Sequence, residues 1–173
     1  LSSKEEKDLM FAKAHAAHCM AKLLVTTNPA GISENTRLGT IPGLINVARF
    51  VDATNLMQFE ILLALTNLAS VGDTEKSTIT SKKQKGLQAI GYLQTSDHRL
   101  VRRAATECLA NLAGTEEFRE QLRIPDRARL WIAFAEDWDD GEYGEVKEED
   151  DIEVGPDFKT SCAAAGALAM ATV

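Results

Sequence analysis

Aromatic residues make up only 6% of this chain, and no stretch of it forms a glycine-rich phosphate loop, a GxSxG turn or a paired-carboxylate motif. Sparse aromatics beside abundant alanine and leucine favour helices packed on helices over a sheet. The missing motifs leave an enzyme no residues to act with, so a non-enzymatic protein without a cofactor is expected. Cysteine occurs three times, at Cys19, Cys108 and Cys162. An odd number at wide spacing is neither a disulfide framework nor a CxxC metal site, which points to a reducing, cytoplasmic setting. No apolar run is long enough to cross a bilayer, and the polar start from Leu1 to Asp8 lacks the basic-then-apolar order of a secretion signal. No membrane partner is expected.

Hydrophobic residues account for 45% of the 173 positions and charged residues for 26%, enough to build one good core, so residues 1–173 read as a single unit. The formal charge of −7 is unevenly placed. Glu136 to Val154 carries eleven of the 26 acidic residues and one of the 19 basic ones, which leaves 18 basic against 15 acidic elsewhere, a net charge of +3. A near-neutral body lacks the strong basic field of a nucleic-acid binder. The acidic stretch, about residues 138–156, reads as a disordered, self-repelling insertion with Trp138 and Tyr143 as partner contacts. It is not a calcium loop: counting to Gly141 puts Trp138 at the third ligand position, and counting to Gly144 puts Tyr143 at the fifth.

Three segments end alike: Met20 to Leu24, Ala64 to Leu68 and Cys108 to Leu112. Leu24, Leu68 and Leu112 are each 44 residues apart, and a fourth copy, Ala164 to Leu168, follows after 56, the excess of twelve lying where the acidic stretch sits. A period near 44 belongs to armadillo and HEAT solenoids. Three, four, seven and eleven residues before the terminal leucine stand Leu65, Ala64, Ile61 and Met57 in one copy, and Leu109, Cys108, Ala105 and Val101 in the next. These share one face of a helix and form the stacking face. The first copy agrees at Ala21, Met20 and Ala17, the fourth at Ala165 and Ala164.

Between the long helices the punctuation continues. Thr40 before Ile41-Pro42 reads as an N-cap for a helix to about Phe50, Asn55 with Gln58 as a capping pair, and Ser3 with Glu6 as another. Two short helices meet near Lys83 to Lys85, and two more near Pro125. Two short helices and one long one per repeat is the armadillo arrangement. The expected fold is therefore all-α, an armadillo-like right-handed solenoid of about four three-helix repeats.

At Leu23 to Pro29, Phe59 to Ser70 and Val101 to Leu112, and in the same order at Asp126 to Asp137 and Phe158 to Thr172, the sequence resembles the UCS-domain myosin chaperones. The resemblance implies an armadillo-like UCS domain that binds the myosin motor domain and assists its folding and assembly. It also implies a link to the ninety-kilodalton heat-shock chaperone, made in animal members by a tetratricopeptide domain to which nothing here is similar. The acidic stretch departs from the family pattern. The chain is shorter than a full UCS domain, so a middle slab of roughly four repeats is implied. The alternative is a generic armadillo scaffold that assembles proteins without aiding their folding.

In an armadillo stack the long helices line a groove, and the residues one, five and eight before each terminal leucine point into it. These are Asn67, Leu63 and Glu60 in the second repeat, and Asn111, Glu107 and Ala104 in the third. An asparagine recurring at one groove position can donate and accept at once, which suits the backbone of an extended peptide. The bland alternative is that each asparagine ties neighbouring helices together. Nuclear-import receptors place a tryptophan four residues before such an asparagine. Here Leu63 and Glu107 stand there, which argues against that role. Arg102 and Arg103, on the same helix, are candidates for an acidic partner or for a solvated face. His15, His18 and Cys19 form a cluster with no further ligand in view, so no metal is expected. Cys108 falls on the stacking face, where a buried neutral thiol is a poor nucleophile.

Overall fold

The computed structural model describes residues 3–136 and 157–172. The acidic stretch, with Trp138 and Tyr143, lies outside them. The described residues form helices without strands: α1 (Ser3–Thr26), α2 (Glu34–Ala48), α3 (Asn55–Ala69), α4 (Asp73–Thr80), α5 (Gly86–Leu93), α6 (Arg99–Asn111), α7 (Glu116–Leu122), α8 (Pro125–Glu136) and α9 (Phe158–Ala171). No helix among them is long and apolar enough to cross a membrane.

The long helices α1, α3, α6 and α9 lie side by side, each packed on the next, while α2 backs α1 and α3, α5 backs α6, and α8 backs α9. Repeated leucines create this layer. Leu24, Leu68 and Leu112 are buried, as are Ile61, Ala64 and Leu65 of α3 and Val101, Ala105, Cys108 and Leu109 of α6. Alanine at so many stacking positions lets the helix axes approach closely. Among its apolar contacts, the Phe118 ring meets Trp131 of α8 edge-on, with centroids 5.3 Å apart.

The pairs α4–α5 and α7–α8 meet where the sequence places them. Thr115 caps α7 by accepting from the Phe118 N–H. The second unit differs. A 3-10 turn, Pro29–Gly31, and the single helix α2 replace two short helices there. Ser33, not Thr40, caps α2, and Pro42 lies inside the helix. The Thr40 hydroxyl instead donates to the Thr36 carbonyl at 2.7 Å. Proline forfeits one bond of the helical ladder. Burial of Ile41, Leu44, Ile45, Val47 and Ala48 offsets that loss, so the helix runs through it. At α3 the cap is Thr54 rather than Asn55, its hydroxyl accepting from the Met57 N–H at 3.2 Å.

The fourth copy needs a correction as well. Leu168 is half-buried, Ala165 is exposed, and the buried positions of α9 are Thr160, Ser161, Ala164 and Ala167. In a helix made mostly of alanine, side-chain size does not single out the inward face. Contacts with α6 and α8 choose it.

Candidate partner-binding face

Four residues of α3, Leu56, Glu60, Leu63 and Asn67, follow one another at steps of four, three and four, so they share one side of that helix. The matching set on α6 is Leu100, Ala104, Glu107 and Asn111. Leu56 and Leu100 are 60% and 45% exposed, whereas Glu60, Leu63, Asn67, Glu107 and Asn111 are half-buried. Ala104 is buried and offers no surface. Leu56 and Leu100 were legible in principle, being one further turn back along the same face and 44 residues apart.

Neighbouring repeats already engage part of this face. The Asn67 side-chain amide donates to the Leu24 carbonyl at 3.0 Å, tying α3 to α1. The Asn111 amide reaches the Ser70 hydroxyl only at 3.5 Å, a long and weak contact. The Glu60 carboxylate accepts from His18 Nε2, and Lys22 Nζ stands 3.9 Å away, so the half-buried His18 belongs to an inter-helix pair. His15 and Cys19 are exposed, and no group of three or more metal-ligating side chains gathers among the described residues.

The two arginines turn inward. Arg102 donates from Nη1 to the Ser96 carbonyl at 2.8 Å, bracing the turn before α6. Arg103 grips the carboxylate of Asp157, the N-cap of α9. Burial alone would raise the Asp157 carboxyl, but hydrogen bonds from Arg103 and Thr160 and the charges of Arg103 and Arg99 outweigh it and hold the group below its ordinary value. Cys108 is fully buried. Desolvation pushes its thiol up to about 12, against a smaller lowering effect of a hydrogen bond with Thr66. Such a thiol is not a nucleophile at neutral pH.

Sequence reasoning missed the second buried pair, Arg37 Nε to Glu75 Oε1 at 2.6 Å, which joins α2 to α4. Nothing in the local pattern of either helix marks those two residues as partners.

Stacked helical units that leave an open side of leucine, carboxylate and amide groups along α3 and α6 define an armadillo-type helical solenoid. No protein-family model matches the chain. Protein unc-45 homolog B from Xenopus tropicalis is 32% identical to it over 162 residues, covering 92% of this chain and 15% of that protein. The homologue from Homo sapiens is 30% identical over 164 residues, with the same coverage. The solved structure of UNC-45 from Drosophila melanogaster superposes with a TM-score of 0.74 at 33% identity, over 92% of this chain and 18% of that one. The chain belongs to the UCS-domain family, to which UNC-45 belongs, and spans about 15% of the length of the curated relatives it matches.

Proposed function

We propose that this segment is a non-enzymatic, protein-binding module of a myosin-directed chaperone, and that it holds the myosin motor domain during folding and assembly. The observation that carries this reading is the open side of α3 and α6, where Leu56, Leu63 and Leu100 offer apolar contact between the polar groups of Glu60, Asn67, Glu107 and Asn111. Partly folded clients expose apolar segments and unpaired backbone groups together, and this surface has chemistry for both. Asn67 spends one N–H on Leu24, yet a primary amide has a second N–H and a carbonyl oxygen. Arg102 and Arg103 serve the client indirectly in this reading, by setting the pitch between α6 and its neighbours. The protein acts in the cytoplasm, and the ninety-kilodalton heat-shock chaperone acts through parts outside this segment.

A client assay tests the proposal. A myosin motor domain heated with near-stoichiometric amounts of the full-length protein should scatter less light than alone, and Leu63→Glu should abolish that protection. Protection that survives Leu63→Glu would move the client elsewhere. No protection at all would favour an armadillo scaffold that assembles proteins without aiding their folding.

A further inference from the structure

Away from the face formed by α3 and α6, two clefts flank the short helix α5. One, of about 430 Å³, is lined by Arg49, Phe50, Val51, Lys85, Gln88 and Tyr92, with Ala48, Gln58 and Ala89 completing its walls. The other, of about 420 Å³, lies on the opposite flank, where the cations Lys82, Lys85 and Arg127 stand against the carboxylates of Glu117 and Glu120. Lys85 and Gln88 belong to both, so the exposed side of α5 is a low ridge between them.

The chemistry of the first cleft is specific. It holds two aromatic rings and two cationic side chains, and no carboxylate. Tyr92 is 75% exposed and Val51 95%, an unusual outlay of apolar surface at neighbouring positions. The floor is firm, because the Phe50 ring packs edge-on against Phe11 of α1 at a centroid distance of 5.3 Å. The cations are placed by backbone. Arg49, exposed and lining the cleft, donates from Nη2 to the Gln84 carbonyl and has further N–H groups to offer. Lys85 takes a left-handed conformation, φ 56° and ψ 35°, just before α5. The next residue, Gly86, lies so close to α4 that a Cβ would sit 2.2 Å from the Ile79 carbonyl oxygen, so the backbone of the turn packs directly on that helix. On the far flank Lys82 has only a loose, exposed ion pair with Glu120 at 4.0 Å, which screens little of its charge.

We propose that the α5 ridge and its two clefts form a second docking surface, for an extended protein segment in which acidic side chains alternate with an aromatic anchor. The anchor settles against Phe50, Val51 and Tyr92. Its acidic neighbours meet Arg49 and Lys85, and then Lys82 across the ridge. Charge complementarity selects the acidic segment, and the paired aromatics select against a plain polyanion, which would have no use for them. Tyrosine and arginine at the centre of a contact supply much of the affinity of protein surfaces.

The test uses a fluorescein-labelled peptide of alternating Glu and Trp, titrated by anisotropy against the whole chain. Saturable binding is expected, weakened about tenfold by Tyr92→Ala and about tenfold by the pair Lys82→Glu and Lys85→Glu, with circular dichroism unchanged because all three side chains are exposed. A peptide with Ser in place of Trp, polyglutamate and single-stranded oligothymidylate should bind at least tenfold more weakly. Binding that ignores both variants overturns the proposal. So does equal binding of polyglutamate, which would show a plain charge effect, and so does tighter binding of oligothymidylate, which would make the ridge a nucleic-acid surface. None of these variants touches the side of α3 and α6 that faces the proposed client, so protection of a motor domain in the same variants keeps the two readings separable.

Discussion

Arg103 of α6 holds Asp157, the cap of α9, through three hydrogen bonds: Nε to Oδ2 at 2.9 Å, Nε to Oδ1 at 3.1 Å and Nη2 to Oδ1 at 2.8 Å. The same carboxylate accepts from the Thr160 hydroxyl at 2.7 Å, so a single side chain starts α9 and docks it on its neighbour. Asp157 is nearly fully buried, and Arg99 adds its charge from 3.8 Å.

Asp157→Asn keeps a capping side chain and removes the charge. Uncoupling a buried pair in this way should lower stability by about 3 kcal/mol at neutral pH, the lower end for such pairs because Arg103 retains some contact with water. The folded carboxyl lies below its ordinary value, so its contribution is fully present above the unfolded pKa, near 4, and is lost as pH falls through the folded value. Urea unfolding followed from pH 6 to pH 2 should therefore show the wild type converging on Asp157→Asn at the acid end. Parallel curves would mean that the pair contributes nothing through its charge.

The three thiols should separate by reactivity. Cys19 and Cys162 are exposed and Cys108 is buried with its thiol pushed up to about 12. Titration with a thiol reagent at pH 8 should modify Cys19 and Cys162 quickly and reach Cys108 only after denaturant is added. Rapid modification of Cys108 in the native protein would show that α3 and α6 part readily.

The asparagines give the sharpest reading of the proposed face. If they grip a client's backbone, Asn67→Ala with Asn111→Ala should weaken motor-domain binding roughly five- to a hundredfold, at about 0.5–1.5 kcal/mol per hydrogen bond. Asn67→Ala should also lower stability by about 1 kcal/mol, because the Leu24 carbonyl loses its donor, whereas Asn111→Ala should change it little. Unchanged affinity together with a marked fall in melting temperature would leave the asparagines as ties between repeats and nothing more.

Two glycines should respond in opposite directions. Gly39 lies exposed within α2, where an added methyl would meet nothing within 4 Å, so Gly39→Ala should stabilise by about 0.5–1 kcal/mol. Gly86→Ala would drive a methyl into the Ile79 carbonyl and should destabilise by about 2 kcal/mol or more. Equal melting temperatures for the two variants would show that the α4–α5 turn yields more easily than its packing implies.

Much of the architecture was legible because leucine recurs at a fixed interval. Leu24, Leu68 and Leu112 each stand at the end of a long helix, with apolar residues on the same side of it, and a repeat that buries one such leucine buries them all. Where that signal weakens, the pattern misleads. In α9 alanine stands on several sides of the helix, and the repeat spacing points to Ala164, Ala165 and Leu168; of these only Ala164 is buried, alongside Ala167, which the spacing does not mark. At Pro42 a local rule about helix starts is overruled by the burial of the residues around it.

The sequence by itself determined the helical class, the repeat interval and the order of the units, since these follow from hydrophobic periodicity along a single chain. It also marked the side of α3 and α6 on which Asn67 and Asn111 lie. Only the tertiary structure decided which polar groups on that side are still open to a partner. Asn67 meets the carbonyl of Leu24 from 43 residues away, Arg37 meets Glu75 from 38, and Arg103 meets Asp157 from 54. Each bond joins one repeat to another. Side-chain periodicity states where a residue lies around its own helix, whereas hydrogen bonding depends on distance and direction to an atom of a neighbouring helix, and that relation exists only once the repeats have stacked.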